Sequence, residues 1–533
     1  MAFLVAVAIM GLVYPRHDPV QERVEELLKP RRLSVGGRSS QEMVDGLIQI
    51  GPQVIPHLAR KARRPSKLSQ AYGKFYLAMP VKLVQRLPMP EDDMVMRGAA
   101  IRAIKELGPL AVRQAAPEMI AAVGEIGPLT DDAMGALPWL LPEDRAAQEA
   151  LRQYLIDTNR GPRMVFTDSL GAQVWPGLSH LTGHLVANLS HPTYPTFGAY
   201  AALALGEIGP KASNAVPALV KVLQQTNTAM MDHQRAMSAY ALGAIGQATP
   251  EVVTALANAW NDTDPTVRRY AAGAVDALGS AMAPAMPQLL AGLNETYTPA
   301  LFAKFKAVGK LGPAGRDALG KLRELSDREK LIAQVGEANF TATPPNDVRS
   351  LNLTARMSIC RLDPNQVSEQ LKALVDGVTD WWELTRFLME LKSHSPEVIR
   401  TMEPLLDDLK NPHRRVVAYV ILHHDRSHAA ALRAFDDELQ KSKLSERIIA
   451  ASGLFDCVGR TNLALPLLAE GLASSESHAG KTAIDLAERL GSAARPAIPA
   501  IKGALWHKDR SVRERAGLWL RKHAPEELPA IAK

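Results

Sequence analysis

Residues 200–223 read Y-A-A-L-A-L-G-E-I-G-P-K-A-S-N-A-V-P-A-L-V-K-V-L, and this stretch decides the fold. Before the Gly-Pro step, apolar residues recur at helical spacing among good helix formers, which predicts a short amphipathic helix. Gly209 can take the left-handed conformation that closes a helix, and Pro210 prevents the helix from resuming at once. Pro217 stands early in a second apolar pattern, where its missing N–H would be unpaired in any case. The stretch therefore predicts a hairpin of two helices.

The same turn recurs along the chain with a period of thirty-odd residues. Further copies end at Gly246, Gly279 and Gly312, the last of which is followed by Pro313, and the full pattern returns at Gly491. A single hairpin cannot bury its own apolar face, so it needs a neighbour on each side. Small residues on the first helix would let neighbouring hairpins stack closely. These features predict an all-α chain in which hairpins stack into a solenoid.

A helix, a Gly-Pro turn and a second helix that opens with V-P-A-L or A-I-P-A-I resemble HEAT repeats, in particular the short repeats named after phycobilisome lyases. The resemblance covers most of the chain and is clearest at 197–325 and 478–524. It implies an armadillo-like, right-handed superhelix of about 10–12 stacked helical hairpins.

Two turns between repeats carry an aspartate followed by valine and arginine, which is a further HEAT-like feature. Asp264 stands before a proline and is predicted to cap the next helix. Asp509 holds the equivalent place near the end of the chain. We expect Arg268 and Arg513 to pair with turn aspartates of adjacent repeats rather than to bind a ligand.

The Gly-Pro landmarks vanish after the stretch T-A-T-P-P-N-D at 341–347 and return only near Gly491, so this stretch is predicted to be a loop between two blocks. The predicted organisation is an apolar N-terminal segment at 1–15, an N-terminal array at 16–340 with an irregular basic insertion near 63–95, and a C-terminal array at 348–533.

The N-terminus holds an apolar run from Ala2 to Val13, which is shorter than the about 20 residues that a bilayer requires. It also lacks the basic residues that precede the apolar core of an export signal. Three interpretations stay open: a transmembrane anchor whose first turns are lost to a misplaced start codon, an intact atypical export signal or anchor, and a buried capping helix. The arrangement resembles bacterial HEAT-repeat proteins with one N-terminal anchor. That resemblance implies a membrane-anchored, extracytoplasmic array, and a cytoplasmic chain is the alternative.

A net charge of +6, from 62 basic and 56 acidic residues, hides one local asymmetry. Between Asp45 and Glu91 the sequence contains no acidic residue. This excess of basic residues has three interpretations. The segment could bind a nucleic acid or another acidic partner, it could bind anionic lipid headgroups close to an anchor, or it could be a solvated insertion without a ligand. The candidate basic surface comprises Arg60, Lys61, Arg63, Arg64, Lys67 and Lys74.

Signatures of catalysis and of cofactor or metal binding mostly fail. The stretch G-R-D-A-L-G-K-L at 315–322 has the glycine and lysine spacing of a phosphate-binding loop, but Leu322 replaces the Ser or Thr that reaches magnesium. The cluster H-H-D-R-S-H at 423–428 reads as a helix end rather than a zinc site. No catalytic residue, cofactor or metal is predicted. A HEAT-like lyase or DNA glycosylase stays as a remote alternative, which would require carboxylates and aromatic side chains to converge in one concave pocket.

The predicted function is a non-catalytic scaffold that binds a protein partner on its concave surface. Stacked hairpins provide a long, curved surface, which suits distributed contacts better than a buried catalytic pocket. The alternative is nucleic-acid or anionic-membrane-surface binding through the basic segment at 60–86.

Overall fold

The computed structural model of the chain describes residues 18–29, 40–64, 94–125, 128–156, 175–189, 195–225, 232–342, 346–378, 381–408, 411–474 and 476–532. Among these residues helices and turns are present and no strand occurs, so the predicted all-α fold is confirmed. The chain divides into two compact units: unit 1 comprises residues 1–154 and 465–533, and unit 2 comprises residues 155–464.

Unit 1 contains helices from both ends of the sequence, and its last N-terminal helix, α8, extends slightly past the boundary. The helices are α1 (Pro19–Leu28), α2 (Ser40–Ile50), α3 (Ile55–Ala62), α4 (Met94–Leu107), α5 (Pro109–Gln114), α6 (Ala116–Val123), α7 (Pro128–Met134) and α8 (Arg145–Ile156), followed at the C-terminal end by α28 (Ser477–Leu490), α29 (Ile498–Gly503) and α30 (Arg510–His523).

Unit 2 is continuous in sequence, and α27 runs across its C-terminal boundary. Its helices are α9 (Thr182–Asn188), α10 (Pro195–Ile208), α11 (Val216–Leu223), α12 (Asp232–Ile245), α13 (Pro250–Ala259), α14 (Pro265–Leu278), α15 (Met286–Ala291), α16 (Thr298–Lys310), α17 (Leu319–Leu325), α18 (Arg328–Val335), α19 (Val348–Leu362), α20 (Val367–Asp376), α21 (Trp381–Glu390), α22 (Ser395–Met402), α23 (Pro404–Asp407), α24 (Arg414–His424), α25 (Ala429–Leu439), α26 (Leu444–Val458) and α27 (Thr461–Ala473).

Helices α10 and α11 form the predicted hairpin, although the connection between them is longer than a tight turn. A 3-10 segment, Gly209–Ala215, joins the two helices. Gly209 has a φ of 69°, a left-handed value that favours glycine, and Pro210 follows it. Pro217 lies in the first turn of α11, where its missing N–H costs no helical bond. The same positive φ recurs at Gly246, at Gly279, at Gly312, which Pro313 follows, and at Gly491.

The first helices of successive hairpins in unit 2 stack side by side: α10 contacts α12, α12 contacts α14, α14 contacts α16, and α16 contacts α19. Small residues permit this approach. A Cβ atom added to Gly243 of α12 would lie only 2.6 Å from the Cα atom of Ala274 in α14. A Cβ atom added to Gly309 of α16 would come similarly close to Ser358 of α19. Because α16 and α19 flank the predicted loop at 341–347, the stacking continues across that loop.

Ion pairs link these first helices to the following repeat. Arg235 of α12 donates to both carboxylate oxygens of Asp262, at 2.6 and 3.0 Å. Arg268 of α14 donates to both carboxylate oxygens of Glu295, also at 2.6 and 3.0 Å. Arg268 therefore pairs across repeats, but with a glutamate rather than the expected aspartate. Glu295 lies at the same time 3.0 Å from the buried ammonium of Lys304, so one carboxylate joins two cations.

The two turn aspartates cap the helices that follow them. Asp264 accepts hydrogen bonds from the N–H groups of Thr266 and Val267 at the start of α14. Asp509 accepts from the N–H group of Ser511 at 2.9 Å, at the start of α30. Each cap satisfies N–H groups that have no partner inside the helix.

Arg513 of α30 departs from the expectation that it pairs with a turn aspartate. Its side chain is 1% exposed and donates to backbone carbonyls alone. Two of these, at His507 and Lys508, belong to its own turn, and two, at Glu106 and Leu107, end α4. The last carbonyls of a helix lack intrahelical partners, and a guanidinium supplies five donors to satisfy them. The expected aspartate partner was therefore wrong for this residue.

The C-terminal helices pack against the N-terminal part of unit 1. Arg510 lies 2.6 Å from the carboxylate of Glu106, and the indole N–H of Trp506 donates to the carbonyl of Ile48 at 3.0 Å. The predicted division at 341–347 stays a prediction about blocks of repeats, whereas the compact units divide after 154 and after 464.

Among the helices of the described ranges, none combines the length and the apolar character needed to cross a membrane. The predicted anchor segment at 1–15 lies outside the described residues.

Candidate protein-binding surface

Unit 1 uses part of the predicted basic surface for its own packing. The guanidinium of Arg60 donates to the side-chain oxygen of Gln21 at 3.1 Å, and the ammonium of Lys61 lies 3.0 Å from the carboxylate of Glu25. Both partners belong to α1, so these cations tie α3 to α1. Lys67 and Lys74, which complete the predicted surface, lie outside the described residues.

Arg63 and Arg64 reach α6 and the residues after it. Arg63 lies 2.8 Å from Glu118, and Arg64 lies 2.6 Å from Glu125. Glu125 also accepts two bonds of 2.6 Å from Arg97. Burial alone would raise the pKa of Glu125, but the hydrogen bonds from Arg97 and Arg64 lower it below its usual value. The described cations of the predicted surface are thus joined to partners in their own unit.

The stretch that resembles a phosphate-binding loop, 315–322, lies in a 3-10 segment and in the first turn of α17. Lys321 lies 3.2 Å from Glu324, so an ion pair within the helix engages its ammonium. This geometry lacks the strand that a phosphate-binding loop follows.

The histidine cluster at 423–428 ends α24 and begins α25. The ring of His424 lies 3.0 Å from the carbonyl of Leu388 and 2.9 Å from the hydroxyl of Ser395, and burial lowers its pKa. His428 caps α25 through its ring nitrogen. Within the residues that the structure describes, no group of three or more His, Cys, Asp or Glu side chains could hold a metal ion.

An open cleft lies on unit 2 between α12 and α14. Its volume is about 490 Å³, and it is open to solvent along one side. The rings of Tyr240 and Tyr270 stand edge to face, with centroids 6.5 Å apart. We call this surface the α12–α14 cleft; Arg269 also contributes to it, and its small residues are Gly243, Ala244, Gly273, Ala274 and Ala277.

Two polar contacts fix the tyrosines of the cleft. The hydroxyl of Tyr240 donates to the carboxylate of Glu207 at 2.6 Å. Burial raises the pKa of Tyr240, and the hydrogen bond to Glu207 raises it further, to about 12. The phenol therefore keeps its proton at neutral pH. The guanidinium of Arg269 lies 4.7 Å from the centroid of the Tyr270 ring. Across the described parts of the chain, no carboxylate pairs with Arg269.

Sequence reasoning missed this cleft because its aromatic residues do not occupy equivalent repeat positions. Tyr240 lies six residues before its closing glycine, Gly246, and Tyr270 lies nine residues before Gly279. Only the close stacking of α12 on α14 brings the two rings together. The sequence shows the tyrosines and the arginine, but it does not show the helix register that brings them together.

Residues 183–275 match a family model described as HEAT repeats, and no curated protein matches the sequence. Among solved structures, the phycocyanin lyase complex of CpcE and CpcF from Nostoc sp. PCC7120 is 20% identical with a TM-score of 0.32, covering 48% of this chain and 92% of that chain. Yeast importin-β, Kap95p, is 12% identical with a TM-score of 0.48, covering 95% of this chain and 75% of that one. Kap121p bound to Nup53p is 11% identical with a TM-score of 0.48, covering 92% and 65%. These identities and scores carry no inference about function.

The segment that matches the family model runs from α9 into α14 and includes both helices of the cleft. The hairpins beyond it close with the same positive-φ glycine, at Gly312 in unit 2 and at Gly491 in unit 1. The predicted resemblance to HEAT repeats is therefore confirmed, and the segment at 183–275 carries the match.

Proposed function

We propose that this chain is a non-catalytic scaffold that binds a protein partner through the surface of its stacked helices. The observation that carries the proposal is the α12–α14 cleft, where two tyrosines and an arginine stand beside small apolar residues. Tyrosine and arginine are enriched at the energetic centres of protein interfaces. That the contact lies on the concave face stays a prediction.

The charged groups near the cleft support a binding role over a catalytic one. Among the described residues that line the cleft none is a carboxylate, and the nearby Glu207 accepts a hydrogen bond from the hydroxyl of Tyr240. The remote alternative of a lyase or glycosylase would need several carboxylates and aromatic rings in one pocket.

Binding through the basic segment at 60–86 is the less favoured function. Lys61 and Arg64 would have to leave Glu25 and Glu125 to meet a phosphate. Neutralising these cations would remove contacts inside unit 1 as well, so any loss of nucleic-acid binding must be read together with a thermal melt.

Native co-purification of the full chain tests the scaffold proposal. The tagged chain is isolated from the organism that produces it, with and without nuclease, and its companions are quantified by mass spectrometry. We expect one or a few proteins in near-stoichiometric amount that survive nuclease treatment and a high-salt wash. Nucleic acid as the sole companion, lost on nuclease treatment, would transfer the proposal to the basic segment, and the absence of any companion would overturn both.

We also propose, from the N-terminal apolar run alone, that the array is membrane-anchored and extracytoplasmic. Membrane fractionation with intact-mass analysis of the N-terminus tests this. A membrane-bound chain facing away from the cytoplasm is the expected result, and a chain found only in the cytoplasmic fraction would overturn it.

A further inference from the structure

The α12–α14 cleft owes its depth to residues that lack side chains. Gly243 of α12 lets the backbone of α14 approach, because a Cβ atom there would lie 2.6 Å from the Cα atom of Ala274. Gly273 of α14 faces outward, and a Cβ atom added to it would meet nothing within 4 Å. One glycine thus brings the helices together and the other leaves open space above them. A partner's apolar side chain can occupy that space.

One cation beside this apolar space, Arg269, is not engaged by a carboxylate of the described residues. Arg235 and Arg268, in the same two helices, each hold a carboxylate in a double hydrogen bond. Arg269 instead lies over the ring of Tyr270 and has no carboxylate partner among the described residues. Arg269 is therefore a cation of the cleft that a partner's carboxylate can meet.

Resting on the proposed scaffold function, we propose that the α12–α14 cleft binds a short segment of a partner protein that carries a large apolar side chain next to a carboxylate. The apolar group lies over Gly273 beside the two tyrosines, and the carboxylate pairs with the guanidinium of Arg269. Because that guanidinium is already held over the Tyr270 ring, little side-chain entropy is lost when the ion pair forms. A basic residue in the place of that carboxylate would be repelled by Arg269.

Selection from a displayed library of random dodecapeptides against the immobilised full chain tests this inference. We expect enrichment of peptides that combine Asp or Glu with Leu, Ile, Phe, Trp or Tyr. Gly273→Leu fills the cleft at a helical position that has open space. We expect this variant to bind a synthetic copy of the best peptide about tenfold or more weakly, as loss of a central contact does. Fluorescence anisotropy measures the affinity. Arg269→Glu should weaken the binding of acidic peptides and leave unchanged the binding of analogues in which an amide replaces the carboxylate.

Matched variants separate an effect of the cleft from an effect on folding. Gly320 of α17 is exposed and a Cβ atom there also meets nothing within 4 Å, so Gly320→Leu should bind like the wild type. Arg328 of α18 is exposed, and Arg328→Glu controls for the change in net charge. All variants should give the helical circular dichroism of the wild type.

Three results would overturn the inference: enriched peptides without acidic residues, equal binding by the wild type and Gly273→Leu, or no enrichment at all. Binding of a fluorescent oligothymidylate, or self-association in sedimentation, would equally overturn it if Gly273→Leu abolished that interaction. A native partner that co-purifies equally with the wild type and with Gly273→Leu would leave the scaffold function standing and remove the cleft as its site.

Discussion

Arg268 and Glu295 join two consecutive repeats through a double hydrogen bond, with Nε to Oε2 at 2.6 Å and Nη2 to Oε1 at 3.0 Å. The side chain of Glu295 is only 4% exposed, and Lys304, at 1%, shares its carboxylate. Burial alone would raise the pKa of Glu295, but the hydrogen bonds from Arg268 and from the N–H of Tyr297 lower it. One carboxylate thus balances the charges of two buried or half-buried cations.

Replacing Glu295 with alanine should be among the most destabilising single changes in unit 2. The change leaves the ammonium of Lys304 buried without a counter-charge, so we expect the free energy of unfolding to fall by about 3–5 kcal/mol. Urea denaturation followed by circular dichroism measures it. The control is Asp436→Ala, which breaks the exposed pair with Arg460 and should cost about 0–1 kcal/mol. Equal losses in the two variants would contradict this assignment.

Replacing two glycines of neighbouring first helices with alanine should change the free energy of unfolding in opposite directions. Gly243→Ala forces α12 away from α14 and should cost about 1–3 kcal/mol through overpacking. Gly273→Ala adds a methyl group in open space and removes backbone freedom from the unfolded chain, so it should stabilise by about 0.5–1 kcal/mol. Thermal and urea melts of both variants decide the point, and two changes of the same sign would refute the close packing at Gly243.

Arg513→Met should loosen both ends of unit 1 together. The variant leaves the carbonyls of Glu106 and Leu107 without donors, at an expected cost of about 2–4 kcal/mol. Hydrogen exchange followed by mass spectrometry should show faster exchange at the end of α4 as well as in α30. Arg515→Met, which removes a cation of α30 that pairs with Glu488 of α28, is the matched control. Unchanged exchange in α4 would show that the contact contributes nothing.

Acid should weaken unit 1 through His507. Burial lowers the pKa of this ring below its ordinary 6.5, although the Ser474 carbonyl and Asp509 oppose the shift. Its Nδ1 also accepts a hydrogen bond from the N–H of Asp509 at 3.0 Å, which requires that nitrogen to be unprotonated. As the pH falls, the folded state therefore binds this proton at a lower pH than the unfolded state does. The stability it contributes is present above pH 6.5 and is lost as the pH falls through the folded pKa.

His507→Asn tests this, because its side-chain oxygen can still accept from Asp509 but does not titrate. We expect the difference in melting temperature between pH 7.5 and 5.5 to be smaller in the variant than in the wild type. An identical pH dependence in both proteins would rule out His507 as its source.

The hairpin turns were predictable because their signal is local. The closing glycine at Gly209 needs a positive φ, and Pro217 needs the first turn of a helix, and both requirements are visible within one repeat. The 3-10 segment between them was not visible, because a few residues can close either a tight turn or a longer one and packing selects between the two. Local chemistry likewise indicated that Asp264 caps a helix.

Contacts that depend on distant residues left no such signal. Arg513 and Leu107 are 406 residues apart in the sequence, and an aspartate four residues before an arginine does not indicate which carbonyls that arginine will meet. The α12–α14 cleft depends on the register of two stacked helices, which the spacing of glycines does not specify to one residue. Both the partner of Arg513 and the candidate site therefore required coordinates.

Unit 1 is built from both ends of the sequence, and this has a consequence for its biosynthesis. Its N-terminal helices leave the ribosome first, but the carbonyls at the end of α4 receive their donors only when Arg513 has been translated. All of unit 2 is synthesised in between, which takes roughly 15–60 s at ordinary elongation rates. During that interval the early helices lack the surface that later covers them, so the part of α4 that Arg513 contacts stays uncovered until the C-terminal helices have been made.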